Sequence, residues 1–312
     1  MTVVTFGETM ALVRMTDIGP LAHASKMDLG IGGSESNVAV ALRRLGTAAT
    51  WVGRIGDDSF GDLVERELRA EGIGVHAIRD PDAPTGLMVK ERRTSTATRV
   101  WYYRKHSAGA HLAIGDIPDA LWDNATLLHI TGITPALSDS AAKATVHYAE
   151  HARTLGVPIS LDLNYRRALW TKDDARSVYR TLVALADVVF AGTEEAAIAV
   201  GDGTPADLAT RLCGLGPAEA VIKLADAGAY ALVDRQPYRL PAVPVAVIDS
   251  VGAGDGFVAG YLAERLAGRG PQERLQTATA VGAFACTVAG DWEGMPRRDE
   301  LDLLTSQESV SR

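Results

Sequence analysis

Short apolar runs rich in β-branched residues alternate along the chain with Ala-rich stretches of helical period. Thr2–Gly7, Thr50–Ile55, Thr126–Thr131, Pro158–Leu163, Asp187–Ala191 and Ala220–Leu224 are almost continuously hydrophobic. Such runs, rather than strict alternation, mark strands buried on both faces of a parallel sheet. Between and after them, Glu35–Leu45, Gly61–Glu71, Asp139–Leu155, Asp173–Leu185, Glu194–Val200, Pro205–Leu212, Ala253–Ala267 and Gln272–Val288 have helical spacing. The alternation predicts a doubly wound α/β architecture, a mostly parallel sheet flanked by helices.

Two segments depart from that rhythm. Gly86–Arg93 and Thr98–Lys105 are strand-like and flank Thr94-Ser95-Thr96-Ala97, which predicts an antiparallel hairpin. With Ala11–Arg14 and Asp28–Ile31 it is expected to build a small sheet, drawn from residues about 11–31 and 86–106. A small sheet inserted between early strands suits a lid over a ligand crevice. The alternative is an extension of the main sheet's edge.

Length and composition narrow the class. The 312 residues suit a single α/β domain spanning 1–312, and 47% hydrophobic with 22% charged residues is the usage of an ordinary folded protein. No apolar run is long enough to span a bilayer, and no basic segment followed by an apolar one opens the chain, so a cytoplasmic location is expected. Two cysteines, Cys213 and Cys286, exclude a disulfide framework. The formal charge of −8 and the absence of a Lys/Arg block argue against a nucleic-acid partner. An acidic protein that binds an anion must then do so with local arginines and backbone N–H groups. The polar stretch from Thr305 to Arg312 is expected to be mobile.

The strongest local signal is Asp249-Ser250-Val251-Gly252-Ala253-Gly254-Asp255-Gly256, after the strand-like Val245–Ile248 and at the start of a helix. Small residues at 252–254 let consecutive N–H groups converge on one point, and the helix dipole adds to that anion site. Asp255 at its mouth is either a helix-terminal capping group or a general base facing a bound phosphate. A loose Rossmann fingerprint over Gly254, Gly256 and Ala259 fails on context, because no parallel strand follows the helix. No Walker A loop is present. A second glycine-rich turn, Gly30-Ile31-Gly32-Gly33-Ser34-Glu35-Ser36-Asn37, precedes a helix and reads either as a ligand contact through Asn37 or as a plain turn.

Gly32-Gly33-x-x-x-Asn37 early and Asp249-x-x-Gly252-Ala253-Gly254-Asp255 late, on this alternation, resemble the ribokinase/PfkB family of carbohydrate kinases over essentially the whole chain. Val100–Gly109 and Asp162–Trp170 look most like the 2-keto-3-deoxygluconate kinases within it. The resemblance implies a ribokinase-like fold, ATP and Mg²⁺, and phosphorylation of a small sugar acid at its terminal hydroxyl. It implies Asp255 as the base, with Gly252, Ala253 and Gly254 holding the transferring phosphate. Gly32, Gly33, Asn37, Tyr102, Arg104 and Arg166 are expected on the sugar. Lys223, Ala225 and Gly228, with Gly252, Gly254 and the stretch around Ala280–Thr287, are expected near the nucleotide, and Glu195 near the metal through water.

Independently of the resemblance, Tyr102 and Arg104 lie two apart on a strand and share a face. Arg166 is expected to close a strand at the end where α/β sheets bind ligands. Two arginines on one crevice suit a carboxylate; otherwise Arg104 is a solvated hairpin residue and Arg166 a structural ion pair. A neutral keto-sugar kinase, of fructokinase or ribokinase type, and a catalytically silent sugar-binding protein of the same fold remain as alternatives. Three positions depart from the family: Gly192 replaces an Asn of the metal motif, Ala225 a Gly, and Met88 a lid Tyr. His147-Tyr148-Ala149-Glu150-His151 matches a zinc-protease pattern, but its helical phase turns His147 and Glu150 to solvent. Exposed apolar lid edges suit a homo-oligomer, a dimer or higher.

Overall fold

Val3 and Val4 are both fully buried although neighbours on a strand point to opposite faces, so the strand that holds them is covered on both sides. It is β1 (Thr2–Phe6), an interior strand, third from one edge, of a nine-stranded sheet in a computed structural model that describes residues 1–94 and 97–304. The chain continues through β2 (Met10–Met15), β3 (Met27–Gly32), β4 (Ala49–Gly56), β5 (Gly74–Asp80), β6 (Leu87–Arg92) and β7 (Thr98–Tyr103). It then forms β8 (Ala125–Thr131), β9 (Ile159–Asp162), β10 (Val188–Gly192), β11 (Glu219–Lys223), β12 (Ala229–Val233) and β13 (Gln236–Leu240). The helices are α1 (Ser34–Arg44), α2 (Ser59–Ala70), α3 (Asp119–Trp122), α4 (Asp139–Thr154), α5 (Lys172–Leu185), α6 (Thr193–Val200), α7 (Pro205–Cys213), α8 (Ala253–Leu266) and α9 (Pro271–Ala285).

The large sheet has the order β13-β12-β11-β10-β9-β8-β1-β4-β5. It is parallel from β11 to β5, and β12 and β13 add an antiparallel edge. From β1 the chain builds outward first through β4 and β5, then in the other direction from β8. The crevice where that direction reverses, beyond the carboxyl ends of β1 and β8, is where open α/β sheets bind ligands. Val3, Trp51, Leu127 and Phe190 pack with α1, α2, α8 and α9 on one face. Val4, Val52, Leu128 and Val189 pack with α4, α5, α6 and α7 on the other. The doubly wound architecture predicted from the alternation is therefore the observed one.

A four-stranded sheet, β3-β2-β6-β7, stands apart from the large one, as the hairpin pattern predicts. Two antiparallel pairs are joined by parallel pairing of β2 with β6. Its inner face buries Met10, Leu12 and Met88. The tip of the predicted hairpin at Ser95 and Thr96, and the polar tail from Thr305, lie outside the described residues.

Val245–Ile248 is not a strand. Pro241 and Pro244 remove backbone donors just before it. Val247 and Ile248 are exposed, and the N–H groups of Ile248 and Asp249 both turn to the Cys286 carbonyl, at 2.8 and 3.3 Å. The edge strands β5 and β13, and β12 beside β13, were not legible from apolar runs, since strands at a sheet's margin need less hydrophobic cover. Among the described residues no helix is long and apolar enough to cross a membrane.

Candidate active site

The turn before α8 is built around Gly252, which has φ +81° and is the N-terminal flanking residue of the helix. A Cβ there would lie 1.7 Å from the Asp291 carbonyl oxygen, so glycine is required by conformation and by space. Asp249 closes the turn by accepting the Val251 N–H at 3.1 Å. The Ala253 N–H makes a long bond to the Ser250 carbonyl, 3.3 Å, while those of Gly252 and Gly254 meet no acceptor among the described residues. Unpartnered N–H groups at a helix N-terminus are the chemistry of an anion site.

Asp255 lies in the first turn of α8 and is buried. It does not cap the helix. Its Oδ1 accepts from Ser34 Oγ at 2.6 Å and its Oδ2 from Asn37 Nδ2 at 2.8 Å, both from α1. Asn164 Nδ2 donates in turn to Ser34 Oγ, 2.8 Å. Burial raises the Asp255 pKa, and the bonds from Ser34 and Asn37 and the charges of Arg166 and Lys223 oppose that rise. A carboxylate so held and shifted suits a general base.

Asn37 was expected on a ligand. Its Nδ2 donates to Asp255 and its Oδ1 accepts the Gly33 N–H at 3.4 Å, so it aims the carboxylate. Gly33 flanks the start of α1 in extended conformation. Gly32 ends β3 of the small sheet, where a Cβ would stand 2.3 Å from Met88 Cε and 2.4 Å from Asp291 Oδ2. The lid position held by Met88 is thus buried against this turn.

Lys223 ends β11 with its ammonium on both oxygens of Asp162, at 2.8 and 2.7 Å. Burial alone would lower its pKa, but the carboxylates of Asp162, Glu195 and Asp255 hold it above the ordinary lysine value. Its Nζ is 3.6 Å from the position a Cβ would take on Gly254, which places a positive charge beside the anion turn. Ala225 adopts φ +51° although it is not glycine, and Gly228 follows at +93°. The turn therefore keeps the left-handed geometry at a cost of about 1–2 kcal/mol.

The two arginines are held in different ways. Arg104 lies just past β7, its guanidinium 5.9 Å from the Tyr102 ring, so these two do share a face. Its charge, however, is matched by the buried Glu8, which also accepts from Ser107 Oγ; Arg104 Nε reaches Glu8 at 2.7 Å. Arg166 does not close a strand: β9 stops at Asp162, and Arg166 is exposed on the following loop. No carboxylate lies within ion-pair distance of it among the described residues, and its charge acts on Asp255. Glu195 caps α6, accepting from the Gly192 N–H at 2.6 Å and the Tyr165 N–H at 3.1 Å. His147 and Glu150 stand exposed on α4, as their helical phase predicts.

Sequence reasoning assigned no role to Ser34, Glu35, Asp162 or Asn164. Glu35 fills the crevice beyond β1 and β8, accepting from Thr131 Oγ1 and Thr134 Oγ1, each at 2.7 Å. Burial pushes its carboxyl up to about 7, against the two hydroxyl bonds. A charged residue inside the apolar-facing first turn of α1 was the one signal that could have marked it.

The family described as pfkB family carbohydrate kinase matches residues 1–298. A 2-dehydro-3-deoxygluconokinase of Bacillus subtilis is 37% identical, covering 98% of this chain and 96% of that protein. A 2-dehydro-3-deoxygalactonokinase of Haloferax volcanii is 32% identical, with 92% of each chain covered. The crystal structure of a 2-dehydro-3-deoxygluconokinase from Thermotoga maritima superposes with a TM-score of 0.90 at 27% identity, over 97% of this chain and 98% of that one.

Proposed function

The chain belongs to the pfkB family of carbohydrate kinases, and we propose that it is an ATP-dependent kinase of a 2-keto-3-deoxy sugar acid, acting at the terminal hydroxyl. The observation that carries this reading is the buried Asp255 carboxylate, aimed by Ser34 and Asn37 beside the Gly252 and Gly254 N–H groups, which meet no acceptor among the described residues. Asp255 accepts the proton of the attacking hydroxyl, and the N–H groups of Gly252, Ala253 and Gly254 take the charge of the transferring phosphate. Lys223, fixed by Asp162, adds positive charge on the same side.

ATP supplies the phosphoryl group, and Mg²⁺ bound with it neutralises phosphate charge. Among the described residues no three His, Cys, Asp or Glu side chains cluster as a metal site. Glu195 would orient water on that ion, with Gly192 contributing only its N–H to fix the carboxylate. Lys223, Ala225, Gly228 and residues 280–287 form the nucleotide side, and Gly32 and Gly33 the floor under the sugar. The small sheet excludes water from the reacting groups.

The acid preference rests on Arg166, which carries a positive charge without a carboxylate partner among the described residues, and on the names of the relatives. The pairing of Arg104 with Glu8 leaves one arginine rather than two, and so favours a neutral keto sugar as the second reading.

The test is ADP release in a coupled assay with Mg²⁺ and ATP, comparing 2-keto-3-deoxygluconate, its galactonate epimer, fructose, ribose and no sugar. Preference for a keto acid is the expected result. Preference for fructose or ribose would keep the chemistry and remove the carboxylate contact.

A further inference from the structure

Lys90 projects from β6 of the small sheet, 2% exposed, and none of the roles above uses it. Its ammonium meets Asp249 Oδ2 at 3.1 Å, the Gly290 carbonyl at 3.2 Å and Asp291 Oδ1 at 2.5 Å. Two of these residues border the Gly252 turn, Asp249 from within it and Asp291 through its carbonyl, and Gly290 precedes Asp291. Asp249 folds the turn by accepting the Val251 N–H at 3.1 Å and also takes the Gly290 N–H at 3.3 Å. The Asp291 carbonyl fills the space that a side chain on Gly252 would need. From the next strand, Arg14 reaches the Ala289 carbonyl, a second tie between the small sheet and this loop.

Burying a lysine with two aspartates brings little net stability, since apolar residues of the same volume do as well or better. The cluster therefore calls for another explanation. Without Lys90, two carboxylates would stand beside an anion-binding turn and repel what it binds.

We propose that Lys90 is a positioning residue for the nucleotide, holding the 249–252 turn in shape and cancelling the carboxylate charge beside it. This rests on reading that turn as the phosphate site. Because Lys90 arrives on the small sheet, docking of that sheet and shaping of the turn are one event.

The test is calorimetric binding of Mg²⁺·ATP, without sugar, to wild type and to Lys90→Met, Lys90→Gln, Lys90→Arg and Lys90→Ala. Lys90→Gln, whose amide still donates to a carboxylate, covers the case in which Lys90→Met does not fold. Affinity is expected to fall at least about tenfold in the neutral variants, as for loss of one charge-assisted contact, and to be largely kept by Lys90→Arg. Methylammonium chloride, but not sodium chloride at equal ionic strength, should restore binding to Lys90→Ala. Wild-type affinity in any folded neutral variant overturns the proposal, as does failure of every neutral variant to fold, which would make the role structural. A wild-type chain that binds no nucleotide would overturn the phosphate reading itself, and this inference with it.

Discussion

Asn37 and Asp255 are 218 residues apart in sequence, and the Asn37 amide donates to the Asp255 carboxylate across 2.8 Å. With Ser34 on the other oxygen, α1 fixes the carboxylate in rotation and offsets part of the cost of burying it. An acid that only capped its own helix would need neither contact.

Asp255→Asn should lower kcat by about 10²–10⁴-fold, the usual loss on removing a positioned base. The fold should survive, since the asparagine stays within reach of both partners. Single-turnover kinetics alongside thermal unfolding would check this. A folded Asp255→Asn protein with near-normal turnover would refute the assignment.

Gly252→Ala should destabilise the protein by at least about 1–3 kcal/mol, because the positive φ and the Asp291 carbonyl both exclude a methyl group. Nucleotide affinity should fall with it. Denaturant titration and ATP binding measure the two effects separately.

Glu35 sets a pH dependence of stability. Its folded-state pKa of about 7 lies above the ordinary 4.5, so the folded protein keeps a proton that the unfolded chain releases. This contribution is complete below the unfolded value and is lost as pH rises through about 7. The full shift corresponds to about 3 kcal/mol. Glu35→Gln, which stays neutral, should therefore gain on wild type by up to that amount between about pH 5 and pH 8 in denaturant titrations. Parallel pH profiles for the two proteins would contradict it.

The two arginines should separate cleanly. Arg104→Ala leaves Glu8 buried without its charge partner and should cost about 3 kcal/mol of stability. Arg166→Ala, at an exposed site, should change stability by no more than about 0.5 kcal/mol. It should instead raise KM for the acid substrate by about 10- to 100-fold while sparing a neutral sugar. Equal losses on both substrates would mean that Arg166 serves the phosphate or the structure.

On the outer face of the small sheet, Leu29, Val13, Val89 and Trp101 are successive cross-strand partners and form one apolar row. Leu29 and Trp101 are 57% and 47% exposed. Such a row suits a second copy of the chain, so sedimentation should report a dimer or higher oligomer that Trp101→Glu weakens. A wild-type monomer at micromolar concentration would rule this out.

The amino-acid sequence by itself determined the layered architecture and the two glycine turns. A strand covered on both faces must be apolar throughout, and a left-handed residue facing a carbonyl must be glycine, so both leave a local trace at Val3–Val4 and at Gly252. The small sheet was legible for the same reason, from two strand-like runs that no helix separates. Which charge meets which was decided only by the tertiary structure. Arg104 reads as a free cation until Glu8 arrives from 96 residues away, and Lys90 as a surface lysine until Asp249 does so from 159. Val245–Ile248 likewise has a strand's composition, and its Ile248 N–H turns to the Cys286 carbonyl rather than to a neighbouring strand. Local pattern records what a residue must avoid, whereas the partner of a charge is set by the path of the whole chain.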